Sequence, residues 1–510
     1  MDAYAIERCG IPSAALMERA GVGAADIVRE RFPHIRKAGV VVVAGKGNNG
    51  GDGFVLARAL KRRRIRCEVI LTVPRRDIVG TARAKMLAWH RAGGRTHAVT
   101  ASNLGALQRT FRWAGCVIDA LFGTGIRGEV SGLAAEVIAL INASGLPTVA
   151  LDLPSGLDAD RGVPLGVAIQ AELTIAFAAP KVGTLLFPGV RHAGALAVVD
   201  IGMPAEAIAA VAPTMASMDA TAASALMWPR DPEGHKGTHG HVAIIAGARG
   251  TTGASVLAAR AAARAGAGLV TVGCPARVQP EVAARLLEEM TLPLPDDIDG
   301  GFAFEEAAPY AAMLARKDAV LAGPGMGVSS DGRALVRWLV EQTSVPLVLD
   351  ADALTCLATD DGATATAREA ALVLTPHPGE MARLCDTTTA AVQQDRLAAA
   401  RTVAAARNAV VVLKGARTIT AVPDGRVWIN LSGNPGLGTG GTGDVLAGII
   451  TSLLAQGHPA DEAARLGVFL HGATADEIAA RRGAIGMIAS DIIEGLPPVA
   501  AGLLAMARNA

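Results

Sequence analysis

Short runs of valine, isoleucine and leucine alternate along the chain with longer stretches in which apolar residues recur at helical spacing. Each run is apolar at consecutive positions, as are strands of a parallel sheet that helices cover on both faces. Strands are therefore predicted at 39–44, 68–73, 116–120, 148–153, 241–247, 268–273, 319–322, 346–350 and 409–414. Alternation of such strands with helices predicts the α/β fold class.

The chain of 510 residues is long enough for two large domains or three of average size. Segment 204–234 is rich in Ala, Pro and Met and lacks a strand-like run. A new apolar run follows it at 241–247. We therefore predict an N-terminal α/β domain at 1–210, a linker at 211–233 and a C-terminal α/β domain at 234–510.

Composition narrows the class of protein. Apolar residues make up 51% and charged residues 19%, which is typical of a globular chain. The net charge of +1 and the 3% aromatic content argue against nucleic acid as a partner. The six cysteines are isolated, the N-terminus lacks the pattern of a signal peptide, and no uninterrupted apolar stretch of about 18 residues occurs. A soluble cytoplasmic protein that does not span a membrane is expected.

Two local clusters have ordinary explanations. The basic run 58–66 is interpreted as a solvated helix end in preference to a phosphate-binding patch, because aromatic residues do not interrupt it. His235, His239 and His241 lack Cys or carboxylate partners at metal-binding spacing, so a zinc site is not favoured there.

Three oxygen-rich segments follow predicted strands in the N-terminal half, at 45–53 (GKGNNGGDG), 119–128 (DALFGTGIRG) and 152–158 (DLPSGLD). The first contains the spacing GxGxxG, but the strand at 68–73 does not end in the acid that a Rossmann site uses to bind ribose. A plain dehydrogenase is therefore disfavoured. Loops at the carboxyl edge of one parallel sheet suit a phosphorylated ligand and an alkali cation. The alternative for 45–53 is a tight turn in which Asp52 caps a helix.

Together these segments resemble the NAD(P)H-hydrate epimerase domain, over roughly residues 2–200. The resemblance implies a Rossmann-like three-layer fold that binds hydrated NADH or NADPH, with Asp152 as acid or base for epimerisation at C6 and Lys181 as a second candidate. The implied substrate contacts are Asn48, Asn49, Gly50, Gly51, Asp52, Gly123, Thr124, Gly125, Ile126, Arg127, Gly128 and Asp152. The implied potassium ligands are Asn49, Asp119 and Ser155.

In the C-terminal half, the segment 432–444 (SGNPGLGTGGTGD) runs directly into an apolar helix. Consecutive amides of a glycine-rich loop at a helix N-terminus form an anion hole. Asp444 in that turn is placed to take a proton from a hydroxyl group that is being phosphorylated. No lysine follows the glycines, so the segment is not a GxxxxGK[ST] loop. The alternative is that Asp444 only caps the helix.

Further motifs follow strands in the order GPGMG, LDADAL, TPHPGE and LKGART. With 432–444 they resemble the ribokinase-like ADP/ATP-dependent NAD(P)H-hydrate dehydratase, over nearly all of residues 234–500. The implied chemistry is phosphorylation of the C6 hydroxyl by ADP or ATP with Mg²⁺, followed by elimination of phosphate. The implied substrate contacts are Ala254, Gly327, His377 and Asp444. The implied nucleotide contacts are Lys414, Gly415, Ala416, Arg417, Thr418 and Gly443.

The sequence therefore predicts a bifunctional enzyme that epimerises the R and S hydrates and dehydrates the S form, a homo-oligomer whose substrates are small molecules. Two alternatives remain open at this point. One is a ribokinase-like kinase of a vitamin precursor with an N-terminal nucleotide-binding module. The other is an N-terminal half that only senses or binds nucleotides.

Overall fold

The computed structural model describes residues 1–359 and 368–509. The chain divides into two compact units, Met1–Pro213 (unit 1) and Thr214–Ala510 (unit 2). Both units are α/β, as the apolar pattern predicts. Each predicted strand is present, within a few residues of its expected bounds.

Unit 1 is built on a seven-stranded sheet in the order β3-β2-β1-β4-β5-β6-β7, with every neighbouring pair parallel. Its strands are β1 (Val40–Ala44), β2 (Cys67–Leu71), β3 (Arg95–Ala98), β4 (Cys116–Ala120), β5 (Thr148–Leu151), β6 (Leu173–Phe177) and β7 (Ala195–Val199). Its helices are α1 (Asp2–Glu7), α2 (Ser13–Arg31), α3 (Ile35–Ala38), α4 (Asn48–Arg62), α5 (Gly80–Arg91), α6 (Gly105–Phe111), α7 (Gly132–Asn142), α8 (Val182–Leu185), α9 (Gly189–Ala193) and α10 (Ala205–Val211).

The central strand β1 explains the three layers of unit 1. Side chains alternate along a strand, so Val40 and Val42 enter the core that contains α2 and α4, while Val41 and Val43 enter the core that contains α6 and α7. Both faces of the strand are therefore buried, and its consecutive valines follow from that. The carboxyl ends of β1, β4 and β5 lie side by side at one edge of the sheet.

Unit 2 is built on a ten-stranded sheet in the order β11-β10-β9-β12-β13-β14-β15-β16-β17-β8. Only the pairs on either side of β16 are antiparallel among the described strands. Its strands are β8 (Met215–Met218), β9 (His241–Ile245), β10 (Leu269–Pro275), β11 (Met290–Leu294), β12 (Ala319–Ala322), β13 (Leu347–Leu349), β14 (Leu372–Leu374), β15 (Val410–Leu413), β16 (Ile419–Ala421) and β17 (Val427–Asn430).

The helices of unit 2 pack an apolar core against this sheet. Val242 and Ile244 of β9 lie in one core cluster with Val445 and Ile449. The helices are α11 (Ala220–Ser224), α12 (Thr252–Arg264), α13 (Gln279–Ala283), α14 (Ala308–Leu314), α15 (Ser330–Gln342), α16 (Asp352–Ala358), α17 (Pro378–Leu384), α18 (Thr389–Gln394), α19 (Arg396–Arg407), α20 (Thr442–Ala455), α21 (Ala460–Arg482) and α22 (Ala489–Asn509).

Segment 211–233, which the sequence predicts to be a linker without a strand, differs in the structure. It contains β8 and α11, and both lie in unit 2. Strand β8 pairs in parallel with β17, with Met218 opposite Asn430. The strand pattern of β8 is weak because it is only four residues long and has a small residue, Ala216, and a polar residue, Ser217, at its centre. The pairing with β17 therefore stabilises a segment that local pattern does not define.

One helix of the described chain, α22, has the length and hydropathy of a helix that can cross a membrane, with a mean hydropathy of 1.2 over its most apolar window. A single helix of this kind is weak evidence, because core helices meet the same criteria. Ile492, Ile493 and Leu496 of α22 belong to the core of unit 2, and the helix contains Pro497 and Pro498.

Candidate active sites

Unit 1 contains a cavity of about 1320 Å³ at the carboxyl edge of its sheet. Among the sequence-predicted residues, its lining includes Asn48, Asn49, Asp52, Gly123, Thr124, Gly125, Ile126, Arg127, Asp152 and Lys181. Gly50, Gly51 and Gly128 are outside this lining. Segments that are far apart in the sequence thus meet in one cavity large enough for a nucleotide. A second cavity, of about 590 Å³ beside β3, contains none of these residues.

Only the first part of the glycine-rich segment 45–53 is a loop, because a helix begins within it. Helix α4 begins at Asn48 after Gly47, so residues 48–52 are already part of the helix. Asp52 is a buried residue inside the helix, and the alternative in which it caps the helix is wrong. A Cβ at Gly45 would lie 2.0 Å from the carbonyl oxygen of Leu121, so this glycine is required by close packing of two backbones.

Asp152 and Lys181 form an ion pair within the cavity. Asp152 has a left-handed backbone (φ 69°) directly after β5, a conformation that costs free energy for a residue with a side chain. The ammonium group of Lys181 also donates to the carbonyl oxygens of Phe177 at 3.0 Å and Ala179 at 3.2 Å. The strand end and the lysine together hold the Asp152 carboxylate at a defined place in the cavity.

A second carboxyl group shares the cavity. Burial raises the pKa of Asp52 well above its ordinary value, and the negative charges of Asp152 and Asp2 add to this effect, while Lys181 and Lys85 oppose it. The cavity therefore holds a carboxyl group whose pKa is raised, Asp52, beside the ion pair of Asp152 with Lys181. Such a set can both accept and donate protons.

The three residues predicted to bind potassium lie around one turn. Asp119 accepts hydrogen bonds from the hydroxyl of Ser155 at 2.6 Å and from its amide at 2.8 Å. Asn49 donates through Nδ2 to the carbonyl oxygen of Phe122 at 2.7 Å, and Phe122 N donates to Ser155 Oγ at 2.9 Å. Burial raises the pKa of Asp119 to about 6, although the bonds from Ser155 act in the opposite direction. The turn is therefore lined with carboxylate, hydroxyl and carbonyl oxygens.

One oxygen of this turn is unsatisfied. Asn49 Oδ1 is buried and has no hydrogen-bond partner. A buried acceptor without a partner is costly, and a cation ligated by oxygen would relieve it. In the described part of the chain, no three His, Cys, Asp or Glu side chains are grouped as a metal site. Asp119 is the only such residue among the three proposed potassium ligands, whose other side-chain oxygens belong to an amide and a hydroxyl.

In unit 2, helix α20 begins at Thr442, and Gly441 with φ 89° is its N-cap. Asp444 is the third helical residue, so the alternative in which it is the cap is wrong. The amides of Gly441–Gly443 lie where the positive end of the helix dipole favours an anion. Burial is the main cause that raises the pKa of Asp444 to about 7; Asp350 and Asp352 act in the same direction, and Lys414 acts against them.

A buried charge cluster stands beside this helix start. Lys414 Nζ lies 2.5 Å from Asp350 Oδ1 and 3.9 Å from Glu380 Oε2. Thr375 also donates to Asp350 Oδ1, at 2.8 Å. Burial disfavours the Lys414 ammonium, but Asp350, Glu380 and Asp444 together raise its pKa. Lys414 is thus a fixed cation beside the amides that would hold a phosphate.

His377 has a structural task that the sequence motif does not reveal. Its Nδ1 accepts hydrogen bonds from the amides of Gly379 at 2.9 Å and Glu380 at 3.3 Å, so it caps α17. Glu380 Oε2 accepts from the amide of His377 at 2.7 Å in return. Burial, and then Lys414, lower the pKa of His377. The ring is about half exposed, with Nε2 lying 3.3 Å from Glu380 Oε1, so it remains accessible to a ligand.

Ala254 and Gly327 also follow carboxyl ends of parallel strands. Ala254 is in the first turn of α12, after β9, and Gly327 follows β12 with φ 84° and open space where a Cβ would be. The amide of Gly327 donates to Asp352 Oδ2 at 2.9 Å. Because β9, β12, β14 and β15 are parallel, the predicted substrate and nucleotide residues that follow them belong to one edge of the sheet.

The segment 414–418 connects β15 to the antiparallel β16, and one residue that the sequence analysis missed supports it. Arg396 donates to the carbonyl oxygens of Leu413 at 3.1 Å, Lys414 at 3.3 Å and Ala416 at 3.3 Å. A charged residue at the start of an ordinary helix carries no local signal for such a contact.

The three histidines considered for zinc include His241, which bonds to Thr271 Oγ1 at 2.8 Å.

Comparison with known proteins agrees with the geometry. The family model described as NAD(P)H-hydrate dehydratase matches residues 242–498, and the one described as YjeF-related protein N-terminus matches residues 13–183. The chain is 43% identical to the bifunctional NAD(P)H-hydrate repair enzyme Nnr of Moorella thermoacetica, over 98% of this chain and 94% of that protein. It is 38% identical to the enzyme of the same name from Salinibacter ruber, with the same coverage of both chains.

A solved structure resembles the second half of the chain. The ribokinase-like superfamily protein of Enterococcus faecalis is 28% identical, covers 57% of this chain and 96% of its own, and has a TM-score of 0.50. The ribokinase-like fold expected from the motifs is therefore confirmed, as is the resemblance to the repair enzymes. By sequence over nearly its whole length, the chain belongs to the family of bifunctional NAD(P)H-hydrate repair enzymes.

Proposed function

We propose that this chain repairs hydrated NADH and NADPH, with unit 1 epimerising the R and S hydrates and unit 2 dehydrating the S hydrate at the expense of ADP or ATP. The observation that carries the proposal is that two different sets of motifs lie at the carboxyl edges of two separate sheets. Relatives that span both units have the name of the bifunctional enzyme. Family membership favours repair over a vitamin-precursor kinase or a binding module.

In unit 1, the proposed chemistry is proton transfer at the C6 hydroxyl. The hydroxyl-bearing carbon is next to the ring nitrogen, so removal of the hydroxyl proton by Asp152 can form C=O as the C6–N bond breaks. The nitrogen then takes a proton from Lys181 or Asp52, and ring closure on the other face inverts C6. The cavity supports this because its lining contains both an ion pair and a buried carboxyl group, Asp52, whose pKa is raised.

In unit 2, Asp444 would take the proton of the C6 hydroxyl as its oxygen attacks the terminal phosphoryl group of ADP or ATP. The amides of Gly441–Gly443 and Lys414 would stabilise the transferred group. Cleavage of the C6–O bond with loss of a proton from C5 then releases phosphate and restores the ring double bond. Phosphate is a far better leaving group than hydroxide, which explains the use of a kinase fold for a dehydration.

The proposal assigns a potassium ion to the site of unit 1 and Mg²⁺ to the site of unit 2. Potassium would be held by Asn49 Oδ1, the Phe122 carbonyl, Asp119 and Ser155, and it would supply positive charge beside a bound pyrophosphate. Mg²⁺ is commonly held by one or two carboxylates together with substrate phosphates, and Asp350 and Glu380 are suitably placed in the charge cluster of Lys414.

The test is recovery of NADH absorbance from a mixture of R and S hydrates. With ADP or ATP the chain is expected to consume both epimers, while without a nucleotide it should only interconvert them. The matched variants are Asp152→Asn, which should leave the R epimer unconsumed apart from its spontaneous epimerisation, and Asp444→Asn, which should stop recovery. Absence of recovery with either nucleotide would overturn the proposal.

A further inference from the structure

Helix α21 holds the beginning of the glycine-rich segment through one carboxylate. Asp476 Oδ2 accepts a hydrogen bond from the amide of Gly433 at 2.7 Å, and Asp476 Oδ1 accepts one from Asn434 Nδ2 at 2.9 Å. Asn434 Oδ1 in turn accepts from the amide of Gly436 at 3.0 Å. Asp476 is separated from its two partners by 43 and 42 positions, and nothing in the proposed chemistry assigns it a role.

The contact between α21 and this segment extends to the neighbouring residues. Ser432 donates to the carbonyl oxygen of Phe469 in α21 at 3.0 Å. A Cβ at Gly472 would lie 2.4 Å from Ser432 Oγ. The helix and the start of the segment therefore meet at backbone distance, and the position of the segment depends on this face of α21.

Segment 414–418, which is proposed to bind the adenine nucleotide, contacts the residue just before Ser432. Arg417 Nη1 donates to the carbonyl oxygen of Leu431 at 2.8 Å, which joins segment 414–418 to the residue before Ser432. Burial lowers the pKa of Arg417, and the charge of Asp476 acts in the opposite direction, so the guanidinium is within electrostatic reach of this carboxylate.

We propose that Asp476 is a positioning residue for the adenine nucleotide. It fixes the start of the glycine-rich segment relative to segment 414–418, so that the amides of Gly441–Gly443 and the ammonium of Lys414 meet the same phosphates. The inference rests on the proposed function of unit 2 and adds a residue that is not expected to touch the substrate.

A reciprocal exchange tests the hydrogen bonds directly. In Asp476→Asn, one side-chain donor must face either the Gly433 amide or the Asn434 amide group, so one bond is lost. In Asn434→Asp, two carboxylates face each other, although the bond to Gly436 can remain. The double variant restores every pair, because the amide introduced at position 476 can accept from Gly433 and donate to the carboxylate introduced at position 434.

Each single variant is expected to raise the KM for ADP about 5-fold, and the double variant should return it to within about 2-fold of the parent value. The matched control is Glu477→Gln, an exposed residue on the same helix whose partner Arg481, at 3.3 Å, is also on that helix. The control should leave the KM for ADP unchanged. Epimerisation should be unchanged in all four variants.

The outcomes separate this inference from the proposed function. If the parent chain does not dehydrate the hydrate, calorimetric titration with ADP gives the same comparison through its Kd. Asp476→Asn that behaves like Glu477→Gln, or a double variant no better than the worse single variant, would overturn the positioning role. A loss of Tm in Asp476→Asn that the double variant restores without restoring ADP affinity would also overturn it.

Discussion

Lys414 Nζ lies 2.5 Å from Asp350 Oδ1, and a Cβ at Gly443 would lie 3.4 Å from the same nitrogen. The cation is thus fixed by a carboxylate that is only 1% exposed, against the backbone of the helix start that would receive a phosphate. A cation held in this way needs little reorganisation when a phosphoryl group arrives. The ion pair therefore belongs to the proposed transfer chemistry as well as to the packing of unit 2.

The first prediction concerns Gly443→Ala. Alanine normally stabilises a helix relative to glycine by about 1 kcal/mol. Here the added Cβ would lie against Lys414 and 3.9 Å from Asp350 Oδ2, so dehydration should fall while the Tm is kept or raised. The control is Gly502→Ala in α22, where a Cβ would meet nothing within 4 Å. Equal dehydration rates in the two variants would contradict the prediction.

Asp444→Asn is predicted to lower kcat for dehydration by about 10²–10⁴-fold, the usual cost of losing a positioned base. Epimerisation should be unchanged, because Asp444 is in unit 2. Single-turnover measurement of phosphate release with purified S hydrate would check this. Retention of the parent rate would remove Asp444 from the role of base.

Dehydration should also depend on pH through Asp444. Its pKa is raised to about 7, and only the ionised carboxylate can take a proton. The rate is therefore expected to rise with pH up to about 7 and then to level off, and below that pH to fall up to about 10-fold per unit. A profile of kcat/KM against pH measures it. A flat profile from about pH 5.5 to about pH 8.5 would contradict the assignment.

The ion pair of unit 1 gives a separate prediction. Asp152→Asn should lower epimerisation by about 10²-fold or more, because the amide cannot accept the hydroxyl proton. Lys181→Met should lower it by a smaller factor if Asp52 can still supply a proton, and the dehydration of purified S hydrate should be unchanged in both. NMR or chromatographic separation of the two epimers measures the rate. Epimerisation that survives Asp152→Asn would favour a unit 1 that only binds nucleotides.

Removal of potassium is predicted to weaken substrate binding in unit 1. Replacement of K⁺ by a bulky organic cation should lower epimerisation, and Asn49→Ala should reduce the difference between the two buffers, because Asn49 Oδ1 is the unsatisfied oxygen. Titration with NADPH in each buffer gives a readout independent of turnover. Equal affinity with and without K⁺ would contradict the proposed ligand set.

Local pattern predicted most of the central strands, but it missed the buried interior strand β6 as well as strands at the margins. Strand β3, with the sequence RTHA, is mostly exposed, and it holds its place through pairing with β2. Strand β8 likewise depends on β17. Polar or short edge strands lack the apolar run that identifies a central strand, so their existence follows from the neighbour that supplies their hydrogen bonds.

The same distinction applies to the candidate sites, where some features follow from the local sequence and others depend on packing. The glycine-rich segments and the acids after strands are visible in the sequence because the chemistry of a phosphate site demands those residue types in consecutive positions. Helix α4 starts at Asn48 and α20 at Thr442, so Asp52 and Asp444 lie inside helices and do not cap them. These helix starts depend on how each turn packs. Sequence spacing alone did not distinguish the two.

By itself, the sequence determined the α/β class, the positions of most of the central strands and the residue types at the two sites, because apolar runs and glycine-rich turns act over a few neighbouring residues. Only the tertiary structure decided that β1 lies between β2 and β4, that Lys414 meets Asp350 and that Asp476 holds Gly433. The last two contacts join residues 64 and 43 positions apart. Their partners are selected by the order of strands and the packing of helices, which no local pattern specifies.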